Sequence, residues 1–411
     1  MPTPLIEPDP TRSRVYLDHA ATTPLLPEAL AAFTDAAARV GNAASLHGSG
    51  RAARALVEDS RERIAAAFDA HPSEVVFTSG GTESDNIAIT GVYAARTAAD
   101  PLARGVVTST IEHHAVLEPV EVLRTRGAEV RLVAPEGTGI VDAAAVTAAV
   151  ADLEQAEVGV ALVSLMWANN EIGTIQPVAA VATALRERGI VIHSDAVQAG
   201  GPCPISFRES GVDLMSLSTH KLGGPMGIGV LLAARDVALE PIVQGGGHER
   251  GLRSGTLPVA SIAGFAAAVE AVTRDRAAES SRLVRLRDAL IEGALGLDLG
   301  IIVGGAWTPG SAHDRLPGNV HLIVPGCEPD SLMFLLDTAG IEASTGSACQ
   351  AGVPGRSHVL DALGLDLDGP VGVARLTLGH SSGPADVEAA LAALASCIPQ
   401  ARAAAAVGAG T

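Results

Sequence analysis

Short apolar runs rich in Val, Ile and Leu recur along the chain at 74–77, 105–108, 129–133, 158–166, 190–193, 214–217 and 228–233, with helical patterns between them. That alternation predicts an α/β domain built on a mostly parallel, seven-stranded sheet. Several of the runs end in polar clusters. Thr78-Ser79-Gly80-Gly81-Thr82 follows the first, Asn169-Asn170-Glu171 the fourth and Ser194-Asp195 the fifth. Ligands of open α/β sheets sit outside the carboxyl ends of strands, so these clusters are expected to converge on one site. After Pro258 the pattern becomes helical at 262–271 and 281–295. Short strands follow near 319–324 and 372–378, then a helix from 384 to about 396. The expected organisation is a large domain over 15–265 and a smaller α+β domain from 1–14 and 266–411, with the Ala/Gly-rich tail after 403 frayed.

Composition narrows the class. The 411 residues are 47% hydrophobic, which excludes a disordered or fibrous protein, and only 2% are aromatic, so the core is filled by Ala, Val, Leu and Ile. A net charge of −18 repels a phosphate backbone and excludes direct nucleic-acid binding. The longest apolar stretch, 158–168, is too short to cross a bilayer, and the expectation is a cytoplasmic protein with no membrane partner. Cys203, Cys327, Cys349 and Cys397 are widely spaced, with no pairing that suggests disulfides or a metal site.

Only one of the 28 basic residues is a lysine, Lys221, in Ser218-Thr219-His220-Lys221-Leu222-Gly223-Gly224-Pro225. Arginine serves everywhere else, which points to chemistry that a guanidinium cannot do. A Schiff base needs a primary amine that can lose its proton. A lysine that carries pyridoxal phosphate (PLP) needs further handles, and candidates for each are present. Asp195 can keep the pyridine nitrogen protonated, although Asp after a strand is also a common helix N-cap. Gly80-Gly81-Thr82, between a strand and a helical pattern, can form an anion nest, and Ser218 and His220 share the loop of the lysine. His113 can stack on a ring and move protons, or be an ordinary capped histidine.

These blocks, taken in order, resemble the cysteine desulfurases of the NifS and IscS type, fold-type I PLP enzymes related to class V aminotransferases. The likeness runs from Tyr16 to about Gly379. It is carried by Tyr16-Leu17-Asp18-His19-Ala20-Ala21-Thr22-Thr23-Pro24, Thr78 through Asn86, Glu112-His113, Asn169-Asn170-Glu171-Ile172-Gly173, Asp195-Ala196-Val197-Gln198, His220-Lys221, Gly245 through Gly251, Arg253 through Pro258, and Gly346-Ser347-Ala348-Cys349. The resemblance implies a Schiff base on Lys221, pairing of Asp195 with the pyridine nitrogen and stacking of His113. It implies phosphate contacts from Gly81, Thr82, Ser218 and His220, with Thr256 supplied by the other subunit of a homodimer. Gln198 and Asn170 would meet the cofactor's phenolic oxygen or the substrate, and Arg375 the substrate carboxylate. Cys349 would take sulfur from L-cysteine as a persulfide, leaving L-alanine, and pass it to an acceptor or scaffold protein for iron-sulfur cluster assembly or thiolation. Its glycine-rich surroundings suggest a mobile loop, whereas the other three cysteines read as buried and inert. The alternatives are a selenocysteine lyase or another PLP lyase or aminotransferase on the same scaffold, and a non-catalytic sulfur-pathway subunit. The chain departs from the family pattern at Gly223, Met226 and His380.

Overall fold

The computed structural model describes residues 14–346, 356–367 and 369–408, with side chains in the last helix described as far as residue 405. In chain order the strands are β1 (Val15–Tyr16), β2 (Val75–Thr78), β3 (Gly105–Ser109), β4 (Glu129–Val133), β5 (Val160–Ser164) and β6 (Val191–Asp195). They continue with β7 (Leu214–Ser218), β8 (Gly229–Ala233), β9 (Ile302–Val303), β10 (Asn319–Pro325), β11 (Ile341–Glu342) and β12 (Val371–Thr377).

Strands β2 to β8 form one seven-stranded sheet in the order β2-β8-β7-β6-β5-β3-β4. All neighbours are parallel except the two pairs made by β8. Six of these strands are buried throughout, and only the edge strand β4 is partly open. Successive side chains of a strand point to opposite faces, so each strand feeds two cores. Val107 and Val163 belong to one apolar cluster, and their neighbours Val106 and Leu162 belong to the cluster on the other face. Helices cover both faces, which is why the strands read as apolar runs without polar alternation.

The second unit is a three-stranded antiparallel sheet, β12-β10-β9. It is packed with the helices Arg276–Leu295, Pro329–Thr338 and Pro384–Gly408 around a core of its own. The boundary expected at residue 265 falls inside the continuous helix Val259–Arg274, whose Phe265, Ala266 and Val269 belong to the core of the large sheet. Core membership therefore moves the seam to the break between that helix and the next, at Asp275. The start of the chain also differs from expectation. β1 pairs in parallel with β11, and Leu17 is buried in the second core, so residues 15–17 pack with the smaller unit. The closing helix runs on to Gly408 through part of the tail expected to fray, consistent with the high helix propensity of its alanines.

Candidate active site

The site lies at the carboxyl ends of the central strands. Beyond β2 the chain passes through Ser79 and Gly80 into helical structure that runs from Gly81 to Ala99, with a π-helical turn at Ile87–Gly91. Gly80 has φ 156° and ψ −177°, a region essentially restricted to glycine. A Cβ on Gly81 would stand 2.6 Å from Val197 Cγ2, so only glycine lets the start of this helix approach the end of β6. The first amides of the helix, Thr82, Ser218 at the end of β7 and His220 thereby border one cavity of about 300 Å³.

Lys221 closes the short turn Thr219–Lys221 after β7 and reaches into the same cavity. Its amine donates to the carbonyls of Ala20 and Ala21, the latter at 2.8 Å. Asp195 ends β6 with Oδ1 accepting from the Val197 amide at 2.9 Å, and because a turn rather than a helix follows, the helix N-cap alternative does not apply. His113 both caps the helix His114–Thr125 and lines the cavity. Its Nδ1 accepts from the Ala115 amide at 3.1 Å, so in the neutral ring the proton sits on Nε2. The adjacent asparagines divide their work. Asn169 is buried and spends its side chain on the backbone of Ile111, Glu171 and Ile172, whereas Asn170 faces the cavity. Gln198 donates from Nε2 to the Ala20 carbonyl at 3.0 Å. The Arg375 guanidinium, with its side chain only 3% exposed, donates from Nη2 to Asp18 Oδ1 at 2.8 Å and from Nη1 to the carbonyls of Asn170 and Gly346.

Burial sets the electrostatics. It pushes the Asp195 carboxyl above the usual carboxylate range, with His113 and then the Val197 amide and Lys221 drawing it back. It lowers His113, with the Asp195 charge opposing the shift, and it lowers His220 to about 4 with help from the Lys221 charge, so the His220 ring is neutral at pH 7. Glu112 is fully enclosed and pushed up to about 8, although Ser109 and the Met166 amide both donate to its Oε1.

Ten residues singled out from the sequence, namely Gly81, Thr82, His113, Asn170, Asp195, Gln198, Ser218, His220, Lys221 and Arg375, border this one cavity. Thr256 does not border it and is exposed on the same chain. Cys349 lies outside the described residues, and Gly346 just before it reaches the cavity. Sequence reasoning passed over Asp85, Asp18 and the Ala20-Ala21 carbonyls, although all fall within the segments that carried the resemblance. Among the described residues no group of three or more His, Cys, Asp or Glu could hold a metal ion. None of the described helices is long and apolar enough to cross a membrane.

Residues 15–390 match the family described as aminotransferase class-V. The chain belongs to this family. Within the class-V proteins it is similar to the "IscS-like cysteine desulfurase" of Mycobacterium tuberculosis, 48% identical over 396 residues that cover 96% of this chain and 99% of the relative. It is also similar to the "Cysteine desulfurase" of Cereibacter sphaeroides, 41% identical over 398 residues and covering 95% and 97% of the two chains. A solved "NifS-like protein" superposes with a TM-score of 0.83 at 32% identity, covering 94% of this chain and all of the other. The class-V fold accounts for the mostly parallel sheet with the smaller unit against it.

Proposed function

We infer that this class-V protein is a cysteine desulfurase that uses PLP on Lys221. The observation that carries the reading is that one cavity holds the lone lysine of the chain, a buried carboxylate, a strand-to-helix anion cradle and a buried arginine. The relatives' names favour cysteine desulfurase over the selenocysteine-lyase or aminotransferase alternative. The residues fit PLP. The amine of Lys221, the close approach of Gly81 to Val197 that a Cβ would block, and the buried Asp85 Oδ1 that has no hydrogen-bond partner make a polar, preformed recess. When bound, PLP acts as an electron sink for the carbon skeleton of an amino acid.

The residues of the chain supply the rest. Gly81, Thr82, Ser218 and a neutral His220 would hold the phosphate, and Thr256 of a second copy in a homodimer would add a further donor. Asp195 would keep the ring nitrogen protonated, and His113 would lie against the ring. Asn170 and Gln198 would orient the cofactor's phenolic oxygen and the substrate. Arg375 takes the α-carboxylate of L-cysteine, its guanidinium held in place by Asp18 and by the Asn170 and Gly346 carbonyls. The Lys221 amine moves the α-proton, with the Ala20 and Ala21 carbonyls to receive it when it carries charge.

The thiolate of Cys349 then attacks the substrate sulfur. An S–S bond forms, the C–S bond breaks with its electron pair left on the substrate side, and a proton completes L-alanine. The persulfide passes to an acceptor protein of iron-sulfur cluster assembly or thiolation. Cys203, Cys327 and Cys397 are buried free thiols, in keeping with a reducing cytoplasm. Burial pushes Cys203 up to about 12, so it is no rival nucleophile. The test is incubation with L-cysteine and mass measurement of the intact chain and its Cys349 peptide. One added sulfur atom there, lost in Cys349→Ala while that variant keeps its visible cofactor absorbance, is the expected result. Full alanine production by Cys349→Ala would overturn the role of that thiol.

A further inference from the structure

Asp85 stands in the helix Gly81–Asn86, three positions beyond Thr82, and is 1% exposed. It borders the cavity that holds Asp195 and Lys221, and its Oδ1 has no hydrogen-bond partner. Its neighbours decide which protonation state it can carry. His193 and Asp195 are two positions apart on β6 and share a face, with Ser216 of β7 in register beside Asp195. The His193 ring bridges three strands, with Nδ1 2.8 Å from Ser164 Oγ and Nε2 3.0 Å from Ser216 Oγ. Nε2 also lies 3.5 Å from Asp85 Oδ1. That contact is not an ion pair, because complete burial drives His193 down to about 3 and leaves the ring neutral. The charged groups that act on Asp85 are both acids, Asp195 and Glu112, opposed by one hydrogen bond from the Ser216 side chain, while His113 and Lys221 act on Asp195. Two enclosed carboxyls that act on each other, with cationic groups beside only one of them, do not both ionise.

We propose that Asp85 is a positioning residue for Asp195: it stays a neutral acid that offers a hydrogen-bond donor at the floor of the cavity, so the single negative charge of the pair remains on Asp195. The asymmetry follows from the surroundings. Burial and then the Asp195 charge hold Asp85 well above the carboxylate range, whereas Asp195 has His113, the Val197 amide and Lys221 to favour its anion. No proton changes hands. Asp85 keeps its own, and the charge is thereby placed where a ring nitrogen would meet it, an advantage that rests on the PLP reading given above.

Infrared spectroscopy of the protein with and without PLP tests the protonation directly. Near neutral pH the carbonyl stretch of protonated carboxylic acids is expected to carry an Asp85 component beside that of Glu112, and the Asp85 component is lost in Asp85→Asn and retained in Glu112→Gln. In parallel, PLP affinity and the pH titration of its absorbance are compared across variants. Asp85→Ala, which lacks the donor, should bind PLP roughly ten- to a hundredfold more weakly, the worth of a hydrogen bond to a charged group. Asp85→Asn, a neutral donor of the same size, should restore both affinity and titration. Absence of the Asp85 band, or an Asp85→Asn protein as impaired as Asp85→Ala, would overturn the proposal. A wild-type protein that shows the band but never binds PLP would overturn the cofactor reading alone.

Discussion

Glu112 precedes His113 in sequence, yet its carboxyl is fully enclosed, with Oε1 held by Ser109 and the Met166 amide and Oε2 without a partner. Its folded-state value near 8 lies above the ordinary 4.5, so the native protein keeps a proton that the unfolded chain gives up. Stability from this group is therefore complete below about pH 4.5 and is lost as the pH rises toward 8, at up to about 1.4 kcal/mol per unit. Urea unfolding across that range should show the wild type losing ground to Glu112→Gln as the pH rises. A constant difference between the two would mean that Glu112 is ionised in the native state. The same residue shows where sequence reading ends. Lys221 was legible because arginine had replaced every other lysine, a signal that needs no fold. Asp85 and Glu112 were not, since an acid in Thr-Glu-Ser-Asp or Ile-Glu-His looks like any solvated charge until three strands and a helix close over it.

At the scale of elements, the apolar runs located all seven strands of the large sheet to within about two residues at most ends, because strands buried on both faces leave little room for polar positions. The offset between the boundary expected near residue 265 and the break at Asp275 has an equally physical cause. An amphipathic helix carries no mark of which core its apolar face will join. The turn Glu249–Gly251 was likewise invisible as structure, although it falls inside a quoted segment. Glu249 and Arg250 adopt φ of 48° and 60°, left-handed values that cost non-glycine residues energy. What holds them is Glu249, 8% exposed, whose two oxygens take both Nη groups of Arg61 at 2.8 and 2.9 Å and the Phe77 amide at 2.7 Å. Glu249→Ala leaves Arg61 without that partner and the strained turn without an anchor. It should lower the unfolding free energy by about 3–5 kcal/mol, read from denaturant titration. A loss under about 1 kcal/mol would show that the turn is held by other contacts.

Across the whole molecule, buried neutral histidines set the acid limit. His193 sits under the large sheet's site and His321 on β10 of the smaller sheet, and burial depresses both to about 3. A depressed base contributes stability that is present above its ordinary 6.5 and is lost as the pH falls toward 3. The advantage of the wild type over His321→Gln in thermal unfolding should therefore shrink steadily on acidification across that window. An unchanged difference would mean that the native ring accepts a proton freely. The two units are joined at their most consequential point by the first described residues. β1 pairs with β11, the Leu17 carbonyl accepts from the Thr377 amide, and Asp18 meets Arg375, while Ala20 and Ala21 hold the lysine. A chain emerging from the ribosome thus makes residues 15–21 long before β11 and β12, the strands that seat them. The cavity cannot be completed until Arg375 and Thr377 have been made, so a product truncated before β12 lacks one wall of the site.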